Sequence, residues 1–301
     1  MAEIGFVYMP ALGAVGHHAN HDSGRSSLVP LIDRSPLAEA FIKSAKPDFD
    51  AHIAAARQLL AQSVNLRVTV SAPLDGVNPQ QVAQQIAELD HSSGGRISLH
   101  LDTKSVAGLG ETSHAEIFKR AEEFIVLVRR LWANDEPVTH EGNYYRLNRA
   151  IISQKGPQGA AVPIWAAGAS GSAALFAGRH ADVFWLEPGS DSELTVQIQR
   201  ITQARKDVGK LEPARFVLPV NLSANGAAGA TQLLPQDYVA ASRLAQHLAQ
   251  LGVSDLVLQG ADYGEAVETA LRLSPLIHRL KENAAPRGQT FQIPYYYRSR
   301  L

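Results

Sequence analysis

The sequence predicts an α/β protein of parallel strands joined by helical crossovers, either a closed barrel or an open doubly wound sheet. Three observations carry this. Short runs with strand character alternate with longer amphipathic stretches along the 301 residues, without a run of consecutive strands. That order leaves neighbouring strands parallel, with helices covering the sheet. The third observation is size. A single α/β barrel needs roughly 250 residues, and no repeat, low-complexity tract or linker marks a second domain.

Taken in order, Ile4–Met9 reads as a first strand ended by Pro10, and Ala11–Ser27 as a long loop rich in Gly, His, Asn and Ser. Leu37–Ala45 and Ile53–Gln62 have helical spacing, so the region Ala11–Ile53 offers no convincing second strand. Leu66–Ala72 (LRVTVSA) is β-branched and alternating, hence a strand. Asn78–Leu89 starts on Asn-Pro and places Val82, Ile86 and Leu89 on one stripe, hence a helix. Strands follow at Arg96–Leu101, Pro163–Ala167, Ala181–Leu186, Arg215–Leu222 and Asp255–Leu258. Helices are expected at Ser113–Trp132, Gly171–Arg179, Glu193–Val208, Tyr238–Leu251 and Tyr263–Leu280. Tyr144–Arg146 is a short run between turns, Asn225–Ala230 a small-residue loop, and Ala284–Leu301 an irregular tail after a single domain over 1–283.

Apolar residues make up 45% of the chain, enough for a large core, and the formal net charge of −1 gives no electrostatic case for nucleic acid or a membrane surface. There are no cysteines, which removes disulfides, thiolate metal sites and cysteine nucleophiles. The N-terminus lacks a basic region followed by an apolar stretch, so a secretory signal is not expected and a cytoplasmic setting is the default.

In parallel sheets, ligands bind beyond the carboxyl ends of the strands. After Pro163–Ala167 come Gly168, Ala169, Ser170, Gly171 and Ser172, which open a helix. Small residues let backbone amides approach an anion there, and the helix N-terminus adds free donors. The same residues also make an ordinary strand-to-helix turn with serine caps. Asp102, Thr103, Lys104 and Ser105 follow another strand, and His100 lies inside it, where a core histidine is the commoner reading. His17, His18 and His21 cluster in the first loop without a fixed thiol or acidic partner beyond Asp22. A solvated loop is the simpler account of them, and no metal is expected. Neither a P-loop, nor a nucleophile elbow, nor GxGxxG after a strand is present.

Several longer stretches resemble the bacterial luciferase-like flavin monooxygenases, and within them the alkanesulfonate monooxygenase branch. They are LDHSSGGRISLHLDT (Leu89–Thr103), SHAEIFKRAEEFIVLVRRLW (Ser113–Trp132), HEGNYYRLNRA (His140–Ala150) and VPIWAAGASGSAALFAGRHADVFWLEPGS (Val162–Ser190). RLAQHLAQLGVSDLVLQG (Arg243–Gly260) extends the likeness more weakly. The resemblance implies a (β/α)₈ TIM barrel, leaving open whether its second unit is degenerate. It implies an FMN-dependent monooxygenase that takes reduced FMN from a separate flavin reductase and uses O₂ on a small organic substrate, commonly as a homodimer. Carried over position by position, Thr103 and His114 fall near the flavin ring, and Gly168, Ala169 and Ser170 at its phosphate. His114, Asn221 and a first-loop histidine such as His17 are the polar candidates around the ring.

The departures from that pattern are specific. Phe118 stands where the family has a phosphate-binding tyrosine, and Ala169 replaces one of a serine pair. Pro219 and Asn221 fall where the alkanesulfonate branch carries an arginine and a histidine, and the family's active-site cysteine has no counterpart. The chain is also shorter than that branch, near Ala224–Gln236 and within Ala11–Asp50. Two further readings therefore stand beside the first: a flavin-binding paralogue or partner protein without oxygenase activity, and a deazaflavin-dependent oxidoreductase on the same fold.

Overall fold

The computed structural model describes residues 5–8, 33, 39–44, 48–105, 113–221, 232–233 and 238–259. His17, the first loop, the helix expected at Tyr263–Leu280 and the tail lie outside them.

Eight parallel strands form the ring: β1 (Gly5–Tyr8), β2 (Glu39–Ile42), β3 (Arg67–Pro73), β4 (Ile97–Asp102), β7 (Ile164–Ala167), β8 (Val183–Trp185), β9 (Arg215–Asn221) and β11 (Asp255–Gln259). They pair in that order, β11 pairs with β1, and pairing between β8 and β9 completes a closed barrel. The ring therefore decides between the two sheet topologies that strand counting left open. Two residues, β10 (Gln232–Leu233), extend it beside the end of β9. A separate antiparallel hairpin, β5 (Val138–Glu141) and β6 (Arg146–Ala150), sits outside the ring.

The helical reading of Leu37–Ala45 is overturned by β2, which supplies the missing second strand. All four of its residues are buried, because a barrel strand is covered by helices on one face and by the barrel interior on the other. Its sequence, EAFI, consequently shows none of the alternation that marks a half-exposed strand.

Six described helices surround the ring: α1 (Phe49–Gln62), α2 (Pro79–Ser93), α3 (His114–Ala133), α4 (Gly171–His180), α5 (Asp191–Asp207) and α6 (Tyr238–Leu251). Their starts follow from side-chain caps. Asp48, Asn78, Ser113, Ser170 and Ser190 each accept a backbone N–H in the first turn, and Glu193 completes a capping box with Ser190.

The SSGGR stretch proves to be scaffold. Gly94 (φ 66°) and Gly95 (φ 91°) reverse the chain out of α2 in a left-handed conformation that favours glycine. Arg96 then donates to the carbonyls of Leu60 and Leu66 and to Ser63 Oγ, closing the C-terminal end of α1. Asp90, which burial pushes above the ordinary carboxylate range, accepts from both the backbone and the side chain of Gln158. In the same way, Glu123 on α3 holds the hairpin turn by accepting from the backbone N–H groups of Asn143, Tyr144 and Tyr145.

Helices α4 and α5 touch at Gly178. A Cβ there would lie 2.6 Å from Ala204 Cβ and 2.7 Å from the Ala204 carbonyl carbon. Alanine usually gains about 1 kcal/mol over glycine in a helix. Here Gly178→Ala is expected to destabilise by about 1–3 kcal/mol, because backbone must shift. Chemical denaturation checks the sign, and a stabilised variant would refute the close contact.

Candidate functional site

Inside the ring, the two-residue period of each strand stacks side chains in layers. At the amino end, Arg215 on β9 lies 3.1 Å from Asp255 on β11 and 3.4 Å from Glu39 on β2, and Glu39 also accepts from Thr69 on β3. Above this ionic floor the waist is aromatic. The Phe41 ring centre is 5.3 Å from that of Trp165, 5.0 Å from Trp185 and 5.1 Å from His100. Phe41 and Trp165 are fully buried, so the barrel is filled at its waist, below its carboxyl-end mouth.

At that mouth the inward positions turn polar. Lys43, two residues beyond Phe41, lies 3.3 Å from Asp102 at the end of β4. Lys104 donates its backbone N–H to Asp102 and pairs with Glu187 at 3.1 Å. Thr103 opens the short turn between them, half-buried.

Below Lys43, His52 and His100 flank Ser71. The Ser71 carbonyl can only accept, so His52 Nδ1 carries the proton in their 2.6 Å bond. Neutral His52 then accepts from the Ser44 hydroxyl through Nε2 at 2.8 Å. Burial holds His52 below its ordinary pKa. His100 bonds the Ser71 hydroxyl at 2.9 Å, and burial, reinforced by Lys43, takes its pKa down to about 3. The reading of His100 as a hydrogen-bonded interior histidine is thus the one the fold supports.

The β7–α4 turn forms a second polar feature. Gly168 has φ 127°, a conformation that favours glycine, and a Cβ there would come within 3.0 Å of Ala173 Cβ and 3.4 Å of the Phe118 ring. Ser170 Oγ accepts from the Ala173 N–H at 3.1 Å, which leaves its own proton to donate. A shallow recess of about 10 Å³ opens beside Gly168, Ala169 and Ser170, bounded by Phe184, Gln197 and Arg200. That is room for about one water-sized oxygen, so an anion would seat one oxygen in it and rest on the helix end.

Of the residues the sequence singled out, Gly168, Ala169 and Ser170 come together here, and Thr103 lies at the end of β4, the strand that pairs with β7. His114 is the first residue of α3 and exposed, and Asn221 ends β9, half-exposed. Phe118 is buried against Phe176 and closes the underside of the Gly168 turn. Arg200 and Lys43 were not foreseen. Arg200 sits in an ordinary charged helix sequence, and Lys43 becomes visible only once β2 is recognised as a strand. No group of three or more potential metal ligands occurs among the described residues. No described helix is long and apolar enough to cross a membrane.

A closed eight-stranded parallel barrel, filled at its waist and polar at its carboxyl-end mouth, defines a (β/α)₈ barrel protein. A family model described as luciferase-like monooxygenase matches residues 47–279, and the chain belongs to that family. It is 29% identical over 239 residues to an F420-dependent glucose-6-phosphate dehydrogenase of Intrasporangium calvum, covering 69% of each chain. It is 31% identical over 150 residues to an FMNH(2)-dependent dimethylsulfone monooxygenase of Pseudomonas putida, covering 48% of this chain and 41% of that one. Among solved structures, a long-chain alkane monooxygenase superposes with a TM-score of 0.76 at 13% identity, over 93% of this chain and 92% of the other. These relatives include both monooxygenases and dehydrogenases, so the family defines an oxidoreductase scaffold with more than one flavin-type cofactor.

Proposed function

We propose that this protein is an oxidoreductase that holds reduced FMN across the carboxyl-end mouth and uses O₂ to oxygenate a small organic substrate. The observation that carries the reading is the Gly168–Ser170 turn with Arg200 beside it. A terminal phosphate would receive backbone N–H groups from the start of α4, the Ser170 hydroxyl and the Arg200 guanidinium. A phosphate seated there would let the attached ring extend toward β4, the strand that pairs with β7 and ends beside Thr103. The cofactor would supply the oxygen chemistry. The protein's part is to orient it, with the aromatic waist excluding water from below. Reduced cofactor would come from a separate flavin reductase.

The sequence relatives favour a second reading, a deazaflavin F420-dependent oxidoreductase. F420 carries an anionic tail beyond its phosphate. The connection from β8 into α5 carries Glu187, Asp191 and Glu193 at the carboxyl end of the strand, which suit a cofactor that ends at the phosphate better than one that continues as an oligoglutamate.

Titrating the protein separately with reduced FMN, oxidised FMN and F420 tests this. Tight binding of reduced FMN with oxygen consumption dependent on it supports the first reading. F420 binding alone supports the second, and binding of neither overturns both. Arg200→Gln is expected to weaken FMN about tenfold or more, the worth of a charge-assisted hydrogen bond, while leaving riboflavin unchanged. Equal loss for both ligands would remove Arg200 from the phosphate site.

A further inference from the structure

The ammonium of Lys43 has a placement that its ion pair with Asp102 does not exhaust. On β2, Glu39 and Phe41 both face the barrel interior, as their contacts with Arg215 and with the Trp165 ring show. The two-residue period makes Lys43 the next inward position, now at the mouth. Its side chain remains one-third exposed while its partner Asp102 is nearly buried. The amine therefore spans the end of β3 to reach β4 and keeps an open side toward the space above the barrel. Among the described residues, the other charged groups at the neighbouring strand ends are Asp102, Lys104 and Glu187, the last two paired with each other, and Asp75, paired with Arg120. His52 and His100 below it are kept neutral by burial.

The ring order places Lys43 relative to the phosphate turn. Strand β4 pairs with β7, β3 with β4, and β2 with β3. Lys43 thus lies three strand spacings around the rim from Gly168, roughly 14 Å along the strand ends. A ribityl chain and the pyrimidine half of a flavin ring span a gap of that order. Reduced flavin is an anion at neutral pH, its charge shared between N1 and the C2 carbonyl, whereas oxidised flavin is neutral. A fixed cation at that edge favours the reduced state selectively.

We propose that Lys43, held across the mouth by Asp102, receives the N1–C2 carbonyl edge of reduced FMN and makes the protein prefer the reduced over the oxidised cofactor. The inference rests on the FMN reading above and adds the determinant of redox-state selectivity to it.

The test is anaerobic titration of the full chain with reduced FMN and, separately, with oxidised FMN, reading the ratio of the two dissociation constants. In the unmodified protein reduced FMN binds more tightly. Lys43→Met is expected to shrink that preference about tenfold by weakening the reduced form alone, and Lys43→Arg to keep it. Lys43→Met leaves Asp102 buried without its cation, so Lys43→Met with Asp102→Asn is measured beside it and is expected to lose the preference equally. Arg200→Gln, acting on the phosphate, should weaken both redox states together and leave the ratio unchanged. If both forms bind and the Lys43 variants leave the ratio intact, or weaken both forms alike, Lys43 does not contact the ring edge and the proposal is overturned. If neither form binds the unmodified protein, the cofactor reading itself fails first, and the proposal with it.

Discussion

Replacing Arg215 with methionine should lower the melting temperature by about 10 °C. The guanidinium lies between Glu39 and Asp255, which are 2% and 5% exposed. Burial alone would depress the pKa of Arg215, but the two carboxylates outweigh it and hold the group above its ordinary value. Methionine keeps an apolar side chain of similar reach but removes the charge and the guanidinium, whose carbon lies 5.8 Å from the Trp165 ring centre. Two carboxylates then remain in the barrel without a cation. Breaking a buried pair from one side costs about 3–5 kcal/mol, and the lower end applies because the Arg215 side chain is itself 29% exposed. For a chain of this size, each kcal/mol is worth roughly 2–4 °C. Adding Glu39→Gln and Asp255→Asn should recover most of the loss, because the penalty lies in the stranded charges. If the single variant melts within 2–3 °C of the parent in calorimetry, estimated from the same scaling, the ionic floor is not what stabilises the amino end of the barrel.

Acid should unfold the protein well before the carboxylates titrate. His52, His100 and His180 all have pKa values lowered from 6.5, with burial the largest cause in each. At His180 burial outweighs the opposing effect of the hydrogen bond that its Nε2 donates to Glu122. All three fold as neutral rings. Below the unfolded value of 6.5 the unfolded chain binds protons that the folded chain refuses. The stability that these residues supply is therefore complete above that pH and is lost as pH falls through it toward the folded values. For His100 the loss continues to about pH 3. Each such group contributes at most about 1.4 kcal/mol per pH unit, and all three act in the same direction. Asp90, raised by burial, acts in the opposite sense but only near the carboxylate range. Urea unfolding at pH 7.5, 6.5 and 5.5 measures the slope. His180→Gln should reduce it, and a stability flat between pH 7.5 and 5.5 would contradict the neutral-core account.

Much of the ring was legible before the structure, and the reasons differ by element. Strand β3 announces itself through β-branched alternation, and α2 through Asn78-Pro79 and a clear apolar stripe. The turn at Gly168–Ser170 was readable as a turn because a tight strand-to-helix connection with a serine cap needs small residues and a hydroxyl in a fixed order. Strand β2 was not readable. It is four residues long, buried on both faces and carries a glutamate inward, so its period imitates a helix. Missing it hid the whole Glu39–Phe41–Lys43 column, and with it the cation at the mouth. Arg200 was hidden for another reason: it approaches the turn from a neighbouring helix, and no spacing in the sequence records that approach. The SSGGR and GNYY stretches, by contrast, were easy to see and belong to the scaffold, held by Arg96 and Glu123. They testify to descent and carry little about chemistry.

The aromatic waist also has a bearing on how such a chain can diversify. Phe41 and Trp165 fill the barrel between its ionic floor and its mouth. Strand-end loops can then be lengthened, shortened or recomposed while the foundation that keeps the ring closed stays untouched. One half of the molecule is free to explore new ligands because the other half is walled off from the experiment.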